Sequence, residues 1–165
     1  MTRLFTIGYE SVTLEGFLAT LVSAGVNLLL DVRELPISRR KGFSKTALRL
    51  ALGTAGIEYR HERDLGSPKI IRNKLREDGN FFSFETQFEA YLQTKTELLD
   101  SITAELEGAV ALMCFERNWR ECHRKIVASH LAKRTATTVQ HLQVPLHASS
   151  HNTSRTHFGQ SLSAA

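Results

Sequence analysis

The residues best suited to chemistry form one short cluster, in which an acid precedes a thiol, an imidazole and a guanidinium: Glu116, Cys122, His123 and Arg124. Histidine exchanges protons near neutral pH, so Glu116 with His123 is a candidate pair for proton transfer. Asn118 is predicted to cap a helix, which would place Cys122 near the positive end of the helix dipole and lower its pKa. Glu116, Cys122 and His123 are therefore the catalytic candidates. A buried, inert cysteine and a helix-packing histidine remain open alternatives.

A second group combines Asp31 and Arg33 with a basic loop. Residues 31–45 contain five basic and two acidic side chains, a local charge of +3. The basic residues are Arg33, Arg39, Arg40, Lys41 and Lys45. The planar guanidinium of Arg33 suits an anion, and Arg124 is predicted to hold the same anion from the other half of the fold. The alternatives are an internal ion pair of Arg33 with Asp31 or Glu116, and a solvated charged loop.

Short apolar runs that alternate with helical patterns must position these residues. Strands are predicted at Leu4–Ile7, Leu28–Val32, Ile57–Arg60, Ala109–Phe115 and Thr137–Leu142. Helical stripes of apolar residues fall within 14–22, 48–55, 84–106 and 126–131, with caps predicted at Thr13, Ser44 and Asn118. Residues 61–82 are predicted to be irregular. The alternation predicts a single α/β domain at 1–145, Rossmann-like, with a mostly parallel five-stranded sheet and helices on both faces.

Nearly every reactive side chain follows the end of a predicted strand. Ligands of parallel sheets bind outside the carboxyl ends of the strands. We therefore expect Glu10, Arg33, His61 and Glu116 to line one shared cleft. The predicted substrate-binding residues are Tyr9, Glu10, Asp31, Arg33, Arg39, Lys45, His61 and Arg124.

Composition narrows the class of protein. The 165 residues are 42% hydrophobic and 23% charged, with a net charge of +4, which is ordinary for a globular domain and excludes collagen and coiled coils. We find no apolar run long enough to cross a membrane and no signal-peptide pattern at the N-terminus. With only two cysteines, the expectation is a cytoplasmic protein with reduced thiols. Residues 146–165 are polar and are expected to form a flexible tail.

Known cofactor and metal motifs are missing from the sequence. It contains no G-x-G-x-x-G after the first strand, no P-loop and no standard pair of metal-ligand spacings. Cys114, Cys122 and His123 with His61 would be the residues for a zinc site, but their spacing does not favour one. The sequence therefore predicts neither a cofactor nor a metal.

Five motifs together resemble the bacterial and archaeal family called domain of unknown function 488. They are Thr6-Ile7-Gly8-Tyr9-Glu10, Asp31-Val32-Arg33 with Pro36, Ser38 and Arg39, Gly42-Phe43-Ser44-Lys45, Leu65-Gly66-Ser67-Pro68, and Cys114-Phe115-Glu116 with Cys122-His123-Arg124. The resemblance spans about residues 3–142. Asn118-Trp119 replaces an Asp-Pro pair that is usual in the family. The resemblance implies the fold and the motif positions, and no particular activity.

The leading functional hypothesis is a small enzyme, or ligand-binding domain, acting on a phosphate-bearing substrate such as a nucleotide or a nucleic-acid end. One alternative is sulfur or phosphoryl transfer by a cysteine, because the strand ending in Asp-Val-Arg and the later strand ending in cysteine are similar to the rhodanese-like fold. Cys114 and Arg120 also have the Cys-x5-Arg spacing of cysteine phosphatases. The other alternative is a non-catalytic nucleic-acid or protein-binding module that uses the basic loop.

Overall fold

A computed structural model describes residues 1–146 and contains one wholly parallel sheet of five strands. The strands are β1 (Arg3–Gly8), β2 (Leu28–Asp31), β3 (Glu58–His61), β4 (Ala109–Cys114) and β5 (Val139–His141). Their order across the sheet is β3-β2-β4-β1-β5, so β4 lies between β1 and β2. Because every pair is parallel, all five carboxyl ends lie at one edge of the sheet.

Within residues 1–146, six helices cover the two faces of the sheet. They are α1 (Leu14–Ser23), α2 (Lys45–Thr54), α3 (Lys69–Asp78), α4 (Phe81–Gln93), α5 (Thr96–Glu105) and α6 (Arg124–Thr135), with short 3-10 turns at Arg63–Leu65 and Trp119–Glu121. Residues of α1 and α2 pack in one apolar cluster, and residues of α3, α4, α5 and α6 pack in the other. The α/β architecture predicted from the sequence is confirmed.

Strand side chains alternate between these two clusters, as a sheet covered on both faces requires. On β2, Leu28 and Leu30 contact the cluster of α4 and α6, whereas Leu29 contacts the cluster of α1 and α2. All six residues of β4 are buried. The uninterrupted apolar run at 109–114 is thus explained by the central place of β4 in the sheet.

The predicted helix caps are found at two of the three positions. The Thr13 side chain accepts a hydrogen bond from the Gly16 amide at 3.1 Å, and Ser44 occupies the cap of α2. The third differs, because Asn118 caps only the 3-10 turn, accepting from the Arg120 amide at 3.1 Å. Helix α6 begins six residues after Asn118, at Arg124.

Two further sequence predictions are wrong. Residues 61–82 are not irregular, since they contain a 3-10 turn, the whole of α3 and the start of α4. The long stripe predicted between 84 and 106 belongs to two helices, which are separated at Thr94 and Lys95. The predicted tail lies outside the described residues, apart from exposed Leu146.

Within the described part of the chain, no helix combines the length and the apolar character that a membrane crossing demands.

Candidate functional site

A cleft of about 720 Å³ lies at the carboxyl edge of the sheet. Its walls come from the segments that follow β1, β2 and β4, and from α3. The charged or nucleophilic side chains that line it are Glu10, Arg33, Glu34, Arg39, Arg40, Arg72, Arg76, Cys114, Glu116 and His123. Parallel pairing produces this convergence, because it brings the ends of β1, β2 and β4 to the same edge.

The structure brings some of the predicted site residues to this cleft and not others. Those that line it are Tyr9, Glu10, Arg33, Arg39, Glu116 and His123. Those that do not are Asp31, Lys45, His61, Cys122 and Arg124. His61 is the last residue of β3, and its Nε2 contacts the Arg33 carbonyl at 2.8 Å. Lys45 is exposed at the start of α2.

Arg33 forms a buried ion pair with Asp31 beneath the cleft. Arg33 is 6% exposed and Asp31 is fully buried. The guanidinium donates to both carboxylate oxygens, from Nε at 2.8 Å and from Nη2 at 2.6 Å. Its Nη1 donates to the Tyr9 hydroxyl and the Phe43 carbonyl, while the Tyr59 hydroxyl donates to Asp31 at 2.7 Å. The Arg33 fork is therefore directed at Asp31, as in the ion-pair alternative.

Electrostatics in this group follow from burial. Burial alone would lower the pKa of Arg33, but hydrogen bonding to Asp31 and its negative charge outweigh that effect and raise it. Burial and the same carboxylate raise the pKa of Tyr59. Arg33 therefore stays charged and Tyr59 stays a hydrogen-bond donor over the whole physiological range.

Arg124 is also occupied by the protein. It is fully buried, and its Nη1 and Nη2 donate to the carbonyl oxygens of Glu116 and Arg117. It therefore holds the segment after β4 in place from beneath. Arg33 and Arg124 have separate sets of partners, so the structure does not bring them together around one anion.

A compact cluster of two thiols, an imidazole and a carboxylate closes the inner end of the cleft. Cys122 Sγ donates to Glu116 Oε2 at 3.0 Å, and Cys114 Sγ lies 3.7 Å from His123 Nδ1. His123 Nε2 donates to the Val32 carbonyl at 2.8 Å. Cys114, Glu116 and His123 line the cleft, whereas Cys122 lies behind them, 1% exposed.

The cluster pairs an ionised acid with two protonated thiols and an imidazole. Burial opposes the charged form of Glu116, but the charge of His123 and hydrogen bonds from both thiols outweigh it, so the Glu116 pKa is lowered. Burial opposes the imidazolium too, yet contact with Cys122 and the charge of Glu116 raise the pKa of His123. Burial raises the pKa of Cys122 well above its usual value. The Cys114 pKa is also raised, because burial and Glu116 outweigh its hydrogen bond with Cys122.

The thiol activation expected from the sequence is thus wrong. That expectation placed Cys122 inside the first turns of a helix capped by Asn118. Cys122 instead has extended backbone before α6, and it is buried against Glu116. Arg120, which has the Cys-x5-Arg spacing from Cys114, stacks over the Trp119 ring at 4.5 Å.

Positive charge exceeds negative charge along the cleft. Arg39 and Arg76 form no ion pair within residues 1–146, and Arg40 donates to the Val12 carbonyl. Arg72 does have an acidic partner, since its Nη1 lies 2.5 Å from a Glu34 carboxylate oxygen. Among the described residues, the opening of the cleft therefore presents guanidinium groups without carboxylate partners.

Sequence reasoning missed the contribution of α3. Arg72 and Arg76 are four residues apart on that helix and both reach the cleft. The i, i+4 spacing of two arginines on one helix face was the available signal. It was hidden because the segment was taken as irregular.

Glycine at position 8 lets two segments of the site approach closely. A Cβ atom at Gly8 would lie 2.0 Å from the Glu116 carbonyl oxygen. Beyond Gly8, the Tyr9 and Glu10 amides donate to the carbonyl groups of Cys114 and Phe115. The loops after β1 and β4 are thereby held side by side, which places Glu10 and Glu116 in one cleft.

A second cavity, of about 680 Å³, lies between α6 and β5. Trp119 stacks on His141 at its edge, with ring centroids 3.6 Å apart. The Trp119 ring is thus occupied by an imidazole from this chain.

Comparison with known proteins gives one result that bears on family. Neither the curated proteins nor the solved structures gave a match. The family model described as "Domain of unknown function DUF488" matches residues 13–131, well over half of the chain. Those residues include the Asp31–Arg33 pair, the basic loop and the cluster after β4. The chain therefore belongs to the DUF488 family, as its motifs led us to expect.

Proposed function

We propose that the cleft binds a small phosphate-bearing ligand through the arginines at its opening. The observation that supports this is the excess of guanidinium groups, with Arg39, Arg40 and Arg76 converging from two segments and lacking carboxylate partners among residues 1–146. Guanidinium forks match phosphate oxygens in charge and geometry. Arg33, which is paired with Asp31, has a supporting role: it fixes the wall on which Tyr9 lies.

The size of the cleft favours a small molecule. A volume of about 720 Å³ falls within the range of small-ligand pockets, roughly 300–1,000 Å³. A nucleotide, a phosphosugar or the end of a nucleic-acid strand fits such a space, and a duplex does not. The ligand class is therefore a phosphate monoester or a terminal nucleotide.

If the bound ligand reacts, Glu116 is the proton acceptor. Its carboxylate lines the cleft, and its lowered pKa keeps it ionised at neutral pH. Both ring nitrogens of His123 face protein atoms, namely Cys114 Sγ and the Val32 carbonyl. His123 therefore does not exchange protons with the ligand itself.

The geometry gives less support to the two alternatives. A cysteine nucleophile needs an accessible thiolate, but both thiols are buried and have raised pKa values. A nucleic-acid-binding surface would use the exposed part of the basic loop as well as the cleft. Binding through many backbone phosphates falls steeply with salt, so salt dependence separates that alternative from a small-ligand site.

The test is a binding titration of the full chain with inorganic phosphate, a nucleoside monophosphate, a phosphosugar and a single-stranded oligonucleotide. We expect Arg76→Ala and Arg39→Ala each to weaken binding by about tenfold, the loss of one charge-assisted contact. Matched controls are Lys74→Ala on the same helix and Lys41→Ala in the same loop, since neither lysine lines the cleft. Equal losses in the control variants, or no phosphate compound that binds, would overturn the proposal.

A further inference from the structure

We propose that Cys114, Cys122 and His123 form a binding site for a zinc ion. Their ligand atoms, two Sγ and one Nδ1, all lie within 4.8 Å of one another, and all three residues are buried. Two thiols and an imidazole are donors that bind zinc in preference to harder cations such as magnesium. Three protein ligands with one open position is the arrangement of catalytic zinc sites.

The separation of Cys114 Sγ from His123 Nδ1 suits a tetrahedral ion, and the other two donor pairs lie within 4.8 Å. With zinc–sulfur bonds of about 2.3 Å and zinc–nitrogen bonds of about 2.0–2.1 Å, tetrahedral geometry places a sulfur and a nitrogen ligand about 3.6 Å apart. Cys114 Sγ and His123 Nδ1 are 3.7 Å apart. That separation matches the edge of a zinc tetrahedron.

The imidazole is already oriented as a ligand. A carbonyl oxygen only accepts hydrogen bonds, so the contact between His123 Nε2 and the Val32 carbonyl requires the proton to be on Nε2. In neutral imidazole the lone pair is then on Nδ1, which points at the thiols. Zinc-bound histidines commonly donate their other N–H to a backbone carbonyl in this way.

The fourth coordination position faces the cleft. Glu116 Oε2 lies 3.0 Å from Cys122 Sγ, and both Glu116 and Cys114 line the cleft wall. When zinc binds, Cys114 and Cys122 each release a proton to solvent and no electron is transferred. Glu116 then loses the hydrogen bond that the Cys122 thiol donated to it, which leaves its carboxylate free to occupy the fourth position or to hold a water molecule there.

The spacing of these three residues along the sequence is not one that is typical of metal sites. Cys114 ends β4, whereas Cys122 and His123 precede α6, and the loop between them returns the chain to the strand end. His61, which the sequence offered as a further ligand, contacts the Arg33 carbonyl and is not in the cluster. Neither part of this arrangement follows from a ligand-spacing rule.

The test titrates the reduced, metal-free full chain with Co²⁺, which takes the place of zinc and gives thiolate charge-transfer and tetrahedral d–d absorption bands. The chain has two cysteines, so any thiolate band comes from Cys114 or Cys122. Co²⁺ bound only to histidines elsewhere in the chain produces no such band. We expect one Co²⁺ per chain with tetrahedral bands, and displacement by one equivalent of Zn²⁺.

Three ligand variants and one control complete the design. Cys114→Ser, Cys122→Ser and His123→Gln should each weaken Co²⁺ binding by at least about tenfold, and His130→Gln, which removes an imidazole that pairs with Glu89 outside the cluster, should not. Circular dichroism shows whether each variant is folded. Reduced wild-type protein without thiolate bands, or bands that persist in Cys122→Ser, would overturn the site. A disulfide that forms between the two cysteines, with no Co²⁺ bands after reduction, would also overturn it.

The outcome is independent of the anion site. The cysteine variants test the metal, and the variants of Arg39 and Arg76 test phosphate binding. Either result can fail while the other holds.

Discussion

Replacing Asp31 by Asn should destabilise the protein strongly, because it removes the charge that faces the buried Arg33. In the native fold, the Asp31 carboxylate accepts from Arg33 Nε, Nη2 and backbone amide and from the Tyr59 hydroxyl, at 2.6–3.2 Å. In asparagine an NH₂ group replaces one carboxylate oxygen, so that group would face hydrogen-bond donors and could not accept from them. It also leaves a guanidinium that is 6% exposed without a counter-charge.

The expected magnitude is about 3–5 kcal/mol, the usual cost of breaking a buried ion pair by removing one partner. For a domain of this size, about 1 kcal/mol shifts the melting temperature by roughly 2–4 °C, so the shift should be about 10 °C. Asp64→Asn is the matched control, since Asp64 pairs with Lys95 at 3.2 Å and is 59% exposed. Exposed pairs contribute less than about 1 kcal/mol.

The assay is urea denaturation followed by circular dichroism, with wild type and both variants measured at one pH and ionic strength. A loss for Asp31→Asn no larger than that for Asp64→Asn would refute the argument. Arg33→Lys separates the ion-pair role from the anion role. We expect lower stability with unchanged phosphate affinity, whereas a direct anion contact would lower the affinity by about tenfold.

Other expectations concern backbone approach, a stacked pair and the thiols. Gly8→Ala should cost about 1–3 kcal/mol or more, because its Cβ would meet the Glu116 carbonyl, whereas Gly53→Ala, with open space around it in α2, should stabilise by up to about 1 kcal/mol in urea denaturation. Trp119 is the only tryptophan, and a protonated His141 stacked on it should quench its fluorescence. Burial and neighbouring arginines lower the pKa of His141, so the fluorescence should fall as the pH is lowered, with a midpoint below about pH 6.5. A midpoint at about pH 6.5, or the same transition in His141→Gln, would contradict this. Both buried thiols should react with iodoacetamide at least about tenfold more slowly in the folded, reduced protein than after unfolding, and fast labelling of the folded protein would favour cysteine catalysis.

Much of the sheet could be predicted because its strands are short apolar runs between turn residues. Leu28–Asp31 begins after Asn27 and Ala109–Cys114 begins after Gly108, and both strands are buried from end to end. The order of the strands could not be predicted, since local patterns do not say that β4 enters between β1 and β2. Pairing partners are chosen by contacts that are distant in sequence.

Helix α3 was missed because it has almost no apolar face. Ile71 is its one buried residue, and neighbouring Ile70 is 79% exposed. The helix starts at Lys69, after Pro68, and the proline ring has no oxygen that could accept a capping hydrogen bond. A periodicity search finds helices that pack by a broad stripe, and α3 instead presents arginines to the cleft.

The sequence predicted the edge of the sheet at which the candidate site lies, but it did not predict the hydrogen-bond partners of the site residues. Residues that follow β1, β2 and β4 do share one cleft. The sequence could not decide whether Arg33 faces a ligand or Asp31, because both possibilities need the same two residues in the same motif. In the structure Arg33 faces Asp31, because Tyr9, Phe43 and Tyr59 contact the pair and bury it.

The position of β4 between β1 and β2 also sets the order of events during synthesis. Strand β1 contains residues 3–8, but its hydrogen-bonded neighbours are β4 and β5, which begin at residues 109 and 139. At about 5–20 residues per second, the ribosome needs roughly 5–20 s to reach β4 after it has made β1. During that interval only β2 and β3 have each other to pair with, and the apolar side chains of β1 wait without a neighbouring strand. The pairing of β1 is therefore delayed by seconds relative to its synthesis, and long-range pairing of this kind slows folding.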